Sequence, residues 1–286
     1  MSKILVTGYS GFIGQALCKV LYNEGHKLQL MNRARGDIAD TKTFNSIEKV
    51  DHVFNLAVPS GSFVPQSWQN PDDFIRVSVQ GTTNILEYCR RSGARLTHIS
   101  SYLYGIPDKL PIAENAPIRL NNPYAFSKYL SEQVCEFYAK HFDINIVVIR
   151  GFNIYGPDQS QDFLIPRIVD QVLNGQEIVV EDVKPKRDFV FIDDLIKALL
   201  MTMSVTSGFE VINIGFGKSY SVGEVIEIIQ EIAGTKLPII NKNKSRANEI
   251  SDVVADISKA QEILGWTPEY SLRQGLQKII SNKTGN

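Results

Sequence analysis

Short apolar, β-branched runs alternate along this chain with stretches in which apolar residues recur at helical spacing. Lys3 to Thr7, Lys27 to Met31, His52 to Leu56, Arg95 to Ser100 and Ile144 to Ile149 read as buried parallel strands, because a strand covered on both faces needs a nearly continuous apolar run. From Phe12 to Asn23 the apolar residues Ile13, Leu17, Val20 and Leu21 fall on one helical face, and Gly25 closes the segment in the manner of a helix C-terminus. Repeated strand-helix units cross over in one hand. The pattern therefore predicts an α/β fold, a Rossmann-type doubly wound parallel sheet with its ligands beyond the carboxyl ends of the strands.

The rhythm changes after Arg150. Gly156-Pro157 breaks the chain, a helix is expected from Phe163 to Asn174 and a strand from Glu177 to Val180. Asp188 to Ile214 reads as a return to the sheet, and Ser221 to Ala233 and Ser258 to Leu264 as helices capped by their serines. The chain thus divides into two interleaved units: a nucleotide-binding domain over 1–156 and about 187–217, and a smaller substrate lobe over about 157–186 and 218–286. The polar tail Ser281 to Asn286 is expected to fray.

Composition narrows the function. The 286 residues are 43% hydrophobic and 21% charged, enough for a large core, and the net charge of −1 leaves no field to hold a nucleic acid. No apolar run approaches a membrane span and no cleavable signal opens the chain, so neither a membrane nor export is expected and the protein is placed in the cytoplasm. Cys18, Cys89 and Cys135 lie in helical stretches, odd in number and without metal-ligand spacing. They read as reduced packing residues, and no metal site is expected.

The segment Thr7-Gly8-Tyr9-Ser10-Gly11-Phe12-Ile13-Gly14 lies between the first strand and the first helix. Backbone N–H groups and a helix N-terminus there suit a phosphate, although three glycines alone also serve tight strand-helix packing. The strand before and the helix after favour the cofactor reading. At the end of the second strand stand Asn32, Arg33, Ala34 and Arg35, where an NAD enzyme usually carries an acid for the ribose hydroxyls. Two guanidiniums suit a 2′-phosphate, so NADP(H) is expected over NAD(H), the alternative being that Arg33 and Arg35 are solvated loop charges. Asp37, with Ile38, could accept from an adenine amino group or serve as a turn residue.

Tyr124 and Lys128 are four apart in Asn122-Pro123-Tyr124-Ala125-Phe126-Ser127-Lys128, so on a helix they share a face. A cation beside a phenol favours the phenolate and moves it toward working pH for proton transfer.

Taken together, the glycine segment, the Asn122 to Lys128 segment, Ser100-Ser101-Tyr102-Leu103-Tyr104-Gly105, Arg150 to Pro157, Arg187 to Asp194 and the closing Ala255 to Ala260 with Leu264 to Pro268 resemble the NAD-dependent epimerase/dehydratase family of extended short-chain dehydrogenases/reductases. The resemblance covers almost the whole chain. It implies a soluble enzyme acting on a nucleotide-diphosphate sugar, with Tyr124 as acid/base, Lys128 on the nicotinamide ribose and Ser100 on the reacting sugar oxygen, Ser101 being the close alternative. It further implies substrate contacts at Asn153 and Arg187, a diphosphate contact at Arg246, and a nicotinamide pocket lined by Leu56, Ala57 and Val58. Val58 departs from the family's usual alanine, and Ser78 from its usual asparagine.

Members of the family differ in the step that comes after hydride transfer. The Asp-Glu pair that usually succeeds the catalytic threonine of a dehydratase is replaced here by Ser101-Tyr102, which disfavours dehydration. The Arg33/Arg35 reading favours a reductase drawing on free NADPH, so a 4-ketoreductase of a 4-keto-6-deoxyhexose in deoxysugar or surface-polysaccharide synthesis is expected. A 4-epimerase of the UDP-glucose type is the second reading, and a non-catalytic cofactor-binding regulator a third. A homodimer is expected.

Overall fold

The computed structural model describes residues 1–59, 64–244 and 249–284. Strands β1 (Lys3–Thr7), β2 (Lys27–Met31), β3 (His52–Asn55), β4 (Arg95–Ser101) and β5 (Ile146–Gly151) form where the apolar runs place them, within two residues at each end. β6 (Asn153–Tyr155), β7 (Ile178–Val180), β8 (Lys186–Phe191), β9 (Phe209–Ile214), β10 (Ser219–Ser221) and β11 (Ile239–Asn241) complete the strands. The helices are α1 (Phe12–Asn23), α2 (Val64–Gln69), α3 (Pro71–Ile75), α4 (Gly81–Ser92), α5 (Pro123–Phe142), α6 (Leu164–Asn174), α7 (Ile192–Met201), α8 (Val222–Ala233), α9 (Ser258–Leu264) and α10 (Leu272–Thr284).

Six strands make one parallel sheet in the order β2-β1-β3-β4-β5-β9. The order reverses between β1 and β3, and the crevice beyond their carboxyl ends is where such a sheet admits a ligand. One face packs on α4 and α5 around Leu5, Val53, Ile85, Leu96, Cys135 and Val148. The other packs on α1 and α7, and this core runs on without a break into Val169, Ile226, Trp266 and Leu276 of the C-terminal helices and loops. The helices outside the main sheet are thus anchored by the same hydrophobic burial that holds the sheet.

Three expectations change. The apolar run beginning at Asp188 predicts a return to the main sheet throughout, but β8 pairs with β6 and β10 in a separate three-stranded sheet, and only β9 returns. Ser221 caps α8 with a full capping box with Glu224, whereas Ser258 is the first residue inside α9 and Asp256 accepts its N–H at 2.9 Å. The tail holds as helix to Thr284, because Leu276, Ile279 and Ile280 on one face of α10 are buried.

α3 and α4 run on through a wider π turn over Arg76–Gln80, which carries Ser78. Its hydroxyl lies 3.2 Å from that of Ser127, one residue before Lys128, so the departure at Ser78 keeps a polar contact to the catalytic helix.

Candidate active site

The dinucleotide end is made largely by backbone. Gly8 comes after β1 at φ +70°, a left-handed conformation, and a Cβ there would stand 2.7 Å from the Leu56 carbonyl oxygen. A Cβ at Gly14 would collide with the Gly8 carbonyl, so α1 can lie this close to the turn only with glycine. No side chain caps α1, and Phe12, Ile13 and Gly14 line the cleft with the first-turn amides of the helix. An uncapped helix N-terminus with a positive dipole end fits a dinucleotide's diphosphate.

A cavity of about 310 Å³ extends from there, lined by Gly8, Ser10, Gly11, Asn32, Arg33, Asp37, Ile38, Leu56, Ala57 and Val58, with Met31, Gly36, Pro59 and Val77 added by the fold. Asn32 knits its rim: its side chain accepts from Arg35 N at 3.2 Å and donates to Ser10 Oγ at 3.4 Å. The two arginines part company. Arg33 faces the cavity, whereas Arg35 places its guanidinium 5.3 Å over the Tyr9 ring and donates to the Leu30 carbonyl at 3.2 Å. Asp37 serves the turn: Oδ1 accepts from Ala39 N at 2.9 Å and Oδ2 from Arg76 at 2.7 Å. Against some burial, these contacts hold its carboxyl below the usual range.

The catalytic end is made by side chains. Asn122 caps α5 by accepting from Ala125 N at 2.8 Å, and Pro123 starts the helix with its φ already set. Tyr124 and Lys128, one turn apart, line a second cavity of about 390 Å³ that shares Gly8, Gly11, Leu56 and Val58 with the first. Lys128 is buried and donates to the Ile99 carbonyl at 2.9 Å. Burial pulls its pKa down to about 8, Glu132 one turn on opposing. The phenol of Tyr124 does not titrate low, as the sequence leads one to expect: burial raises its pKa, and the hydroxyl of Ser101, rather than Lys128, opposes the rise. Ser100 also lines this cavity, and its buried Oγ has no hydrogen-bond partner among the described residues. A buried hydroxyl without a partner inside a cleft is suited to one brought by a ligand.

Beneath Lys128 a buried chain of hydrogen bonds fixes the helix to the sheet. Thr7 Oγ1 donates to Asn55, Asn55 reaches His98 Nδ1 at 3.0 Å, His98 Nε2 reaches Ser131 at 2.9 Å, and Ser131 donates to the Lys128 carbonyl at 2.7 Å. Burial first, and the Lys128 charge second, hold His98 well below its ordinary pKa, so it is a neutral link. Glu132 forms a buried pair with Arg150 at 2.6 Å, and Arg150 also donates to Tyr104 Oη at 2.9 Å. Sequence reasoning misses both sets, because each joins residues far apart in the chain.

The substrate candidates fall around the same cleft. Asn153 lines the second cavity and donates to the Asp188 carbonyl at 3.1 Å. Arg187 lines a third space of about 310 Å³, contiguous with the second through Ser101 and Tyr124, and is ion-paired with Glu249. Arg246 lies outside the described residues. Arg119 and Asn121 in the third space, and Phe163 and Leu164 in the second, have no motif to reveal them, whereas Tyr102 and Phe189 lie within the motifs and only the fold shows that they line these spaces.

The sequence profile of the NAD dependent epimerase/dehydratase family matches residues 4–215, and the chain belongs to that family. It is 33% identical to a putative UDP-glucose 4-epimerase of Methanocaldococcus jannaschii, over 97% of each chain. It is 28% identical to the GDP-6-deoxy-D-mannose reductase of Pseudomonas aeruginosa, over 98% of this chain and 96% of the relative. The solved structure of RMD from Pseudomonas aeruginosa complexed with NADPH superposes with a TM-score of 0.90 at 28% identity, covering 99% of this chain and 98% of that one. The protein is an enzyme of nicotinamide-dependent chemistry on nucleotide sugars. Among the described residues no helix is long and apolar enough to cross a membrane, and no cluster of His, Cys, Asp or Glu is placed to hold a metal.

Proposed function

We propose that this enzyme is an NADPH-dependent 4-ketoreductase acting on a nucleotide-diphosphate 4-keto-6-deoxyhexose. The observation that carries the reading is the end of β2, where Asn32 and Arg33 face the adenosine cavity in the place where an NAD enzyme usually carries an acid. The likeness to a GDP-6-deoxy-D-mannose reductase and to a structure holding NADPH supports it.

The glycine turn and the α1 amides hold the diphosphate of the cofactor, and Leu56, Ala57 and Val58 line its nicotinamide side. When bound, NADPH supplies the hydride for the sugar's C4. Tyr124 donates its phenolic proton to the C4 oxygen, completing the alcohol, and is reprotonated from solvent. Ser100 donates a hydrogen bond to the same oxygen and polarises the carbonyl, with Ser101 beside the phenol. Lys128 has two N–H donors beyond the one given to Ile99, for the nicotinamide ribose hydroxyls. Asn153, Arg187 and Arg246 contact the nucleotide-sugar, and the active form is a homodimer in the cytoplasm.

The likeness to a putative UDP-glucose 4-epimerase favours a second reading, in which the hydride is returned to C4. Stoichiometry separates the two. With NADPH and a nucleotide-linked 4-keto-6-deoxyhexose, absorbance of the reduced nicotinamide should fall in step with product. Interconversion of gluco and galacto forms of one nucleotide sugar, with no net change in nicotinamide, would replace the first reading with the second.

A further inference from the structure

β8 sets three consecutive residues to three different tasks. Arg187 lines the third space, Phe189 lines the second cavity, and Asp188 between them lines neither. Its side chain is buried, and no cation among the described residues pairs with it. Three backbone N–H groups take that place: Oδ1 accepts from Phe216 at 2.6 Å, and Oδ2 from Gly217 and from Ala255, each at 2.9 Å. Burial still pushes the carboxyl up to about 6. A buried carboxylate without a counter-ion is costly to a fold, and what this one secures is two distant segments of chain. Both segments border the sugar side of the cleft. Phe216 and Gly217 form the turn from β9 to β10, and β10 pairs with β8 opposite Arg187. Ala255 ends the stretch that begins with Glu249, the ion-pair partner of Arg187, and Ile250, whose carbonyl accepts from Arg187 at 2.7 Å. The carbonyl of Asp188 itself accepts from Asn153 at 3.1 Å. A Cβ at Gly215 would stand 2.9 Å from Oδ2 and 2.6 Å from the Ala255 side chain, so the clamp closes only over glycine. The adenosine cavity takes no residue from β8 or from either segment.

We propose that Asp188 is a positioning residue for the nucleotide-sugar: its carboxylate clamps the β9–β10 turn and the Ala255 segment onto β8, and so keeps Arg187, Asn153 and Glu249 set around the substrate. It acts through those side chains, since it reaches neither the second cavity nor the third space. A carboxylate acting directly on the substrate would repel its diphosphate, so the two roles predict opposite signs when the charge is removed. The inference rests on the nucleotide-sugar contacts that the proposed function gives to Arg187 and Asn153.

The test is isothermal titration of the NADPH-loaded full chain with UDP, GDP, CDP and dTDP, and of the free chain with NADPH, for the wild type, Asp188→Asn and Gly215→Ala. Asp188→Asn keeps the size of the side chain but leaves it one accepting atom, so at least one N–H of the clamp loses its partner. It should weaken the nucleotides that bind the wild type about five- to tenfold and leave the NADPH constant within about a factor of two. Gly215→Ala forces the clamp apart without touching its charge, and should give the same split even if Asp188→Asn does not fold. Equal weakening of NADPH would show a general loosening of the core that the two parts of the molecule share, and would overturn the proposal. Tighter nucleotide binding in Asp188→Asn would overturn it by putting the charge itself on the phosphates, and unchanged nucleotide binding in folded variants would overturn it outright. If none of the four nucleotides binds the wild type, the contacts proposed for Arg187 and Asn153 fail and the inference with them, an outcome read from the wild type alone.

Discussion

The two ends of the cleft are built on different principles. The dinucleotide end uses backbone: a left-handed glycine, a bare helix N-terminus and the strand ends of β1, β2 and β3, most of it contained in three short segments of chain. The catalytic end uses side chains drawn from β4, α5, β6 and β8 and from the Glu249 segment, held by buried polar chains that cross the sheet. Backbone amides present a fixed, unspecific cradle for an anion, whereas proton transfer needs particular groups at particular pKa values. The first end therefore depends on the absence of side chains at Gly8 and Gly14, and the second on the presence of particular ones.

If that contrast holds, the largest effects come from changing one atom at the catalytic end. With the phenol as the proposed proton donor rather than a cofactor anchor, Tyr124→Phe should lower turnover by about 10²- to 10⁴-fold or more and leave the NADPH dissociation constant unchanged. Ser100→Ala should cost about 10²-fold, with Ser101→Ala the milder change, as measured by single-turnover hydride transfer. Near-normal turnover in Tyr124→Phe would remove the acid from the mechanism, and a larger loss at Ser101 would exchange the two serines.

At the dinucleotide end the effect is smaller and confined to binding. Arg33→Ala should weaken NADPH by about 1.5 kcal/mol or more, roughly tenfold or greater, without changing NADH. Arg35→Ala should leave the NADPH constant within about a factor of two, because its guanidinium is already spent on Tyr9 and Leu30. Equal losses at both positions would mean that Arg35 turns to the phosphate on binding.

A last effect is on stability alone, and pH reveals it. Lys128 titrates at about 8 in the folded chain against an ordinary 10.5, chiefly because it is buried. Between those values the unfolded chain holds a proton that the folded chain has lost, so this group makes the wild type more stable as pH rises across the window. Lys128→Met removes the buried charge and leaves Glu132 paired with Arg150. After the lost bond to Ile99 is counted, the apoprotein should gain on the order of 2 kcal/mol at pH 7. Its lead over the wild type in thermal melting should shrink from pH 8 to pH 10.5. A constant lead would show that the lysine is not depressed in the folded chain.

How much is legible depends on distance along the chain. The strand of Lys3 to Thr7, the glycine turn, α1 and the helix that carries Tyr124 and Lys128 are local patterns, and they form where the residues say. Only Phe189 to Phe191 of β8 form an apolar run like a strand of the main sheet, and nothing in that run tells which sheet will take it. Arg33 and Arg35 look alike in sequence, and only the placement of Tyr9 and the Leu30 carbonyl separates them. The His98 and Arg150 networks are invisible in the sequence because the bonds that tie them across the sheet span from 18 to 48 residues.

The sequence by itself determined the alternation of strands and helices, the anion cradle and the Tyr124–Lys128 face, because each depends on propensity, backbone freedom or one helical turn. Only the tertiary structure decided the charges and protons of the site: which arginine is free, that Arg76 covers Asp37, that Ser101 and not Lys128 stands against the rise in the tyrosine pKa, and that Ser100 has an open hydroxyl. Those properties come from desolvation and from neighbours brought together across the sheet, and no local stretch of chain contains them.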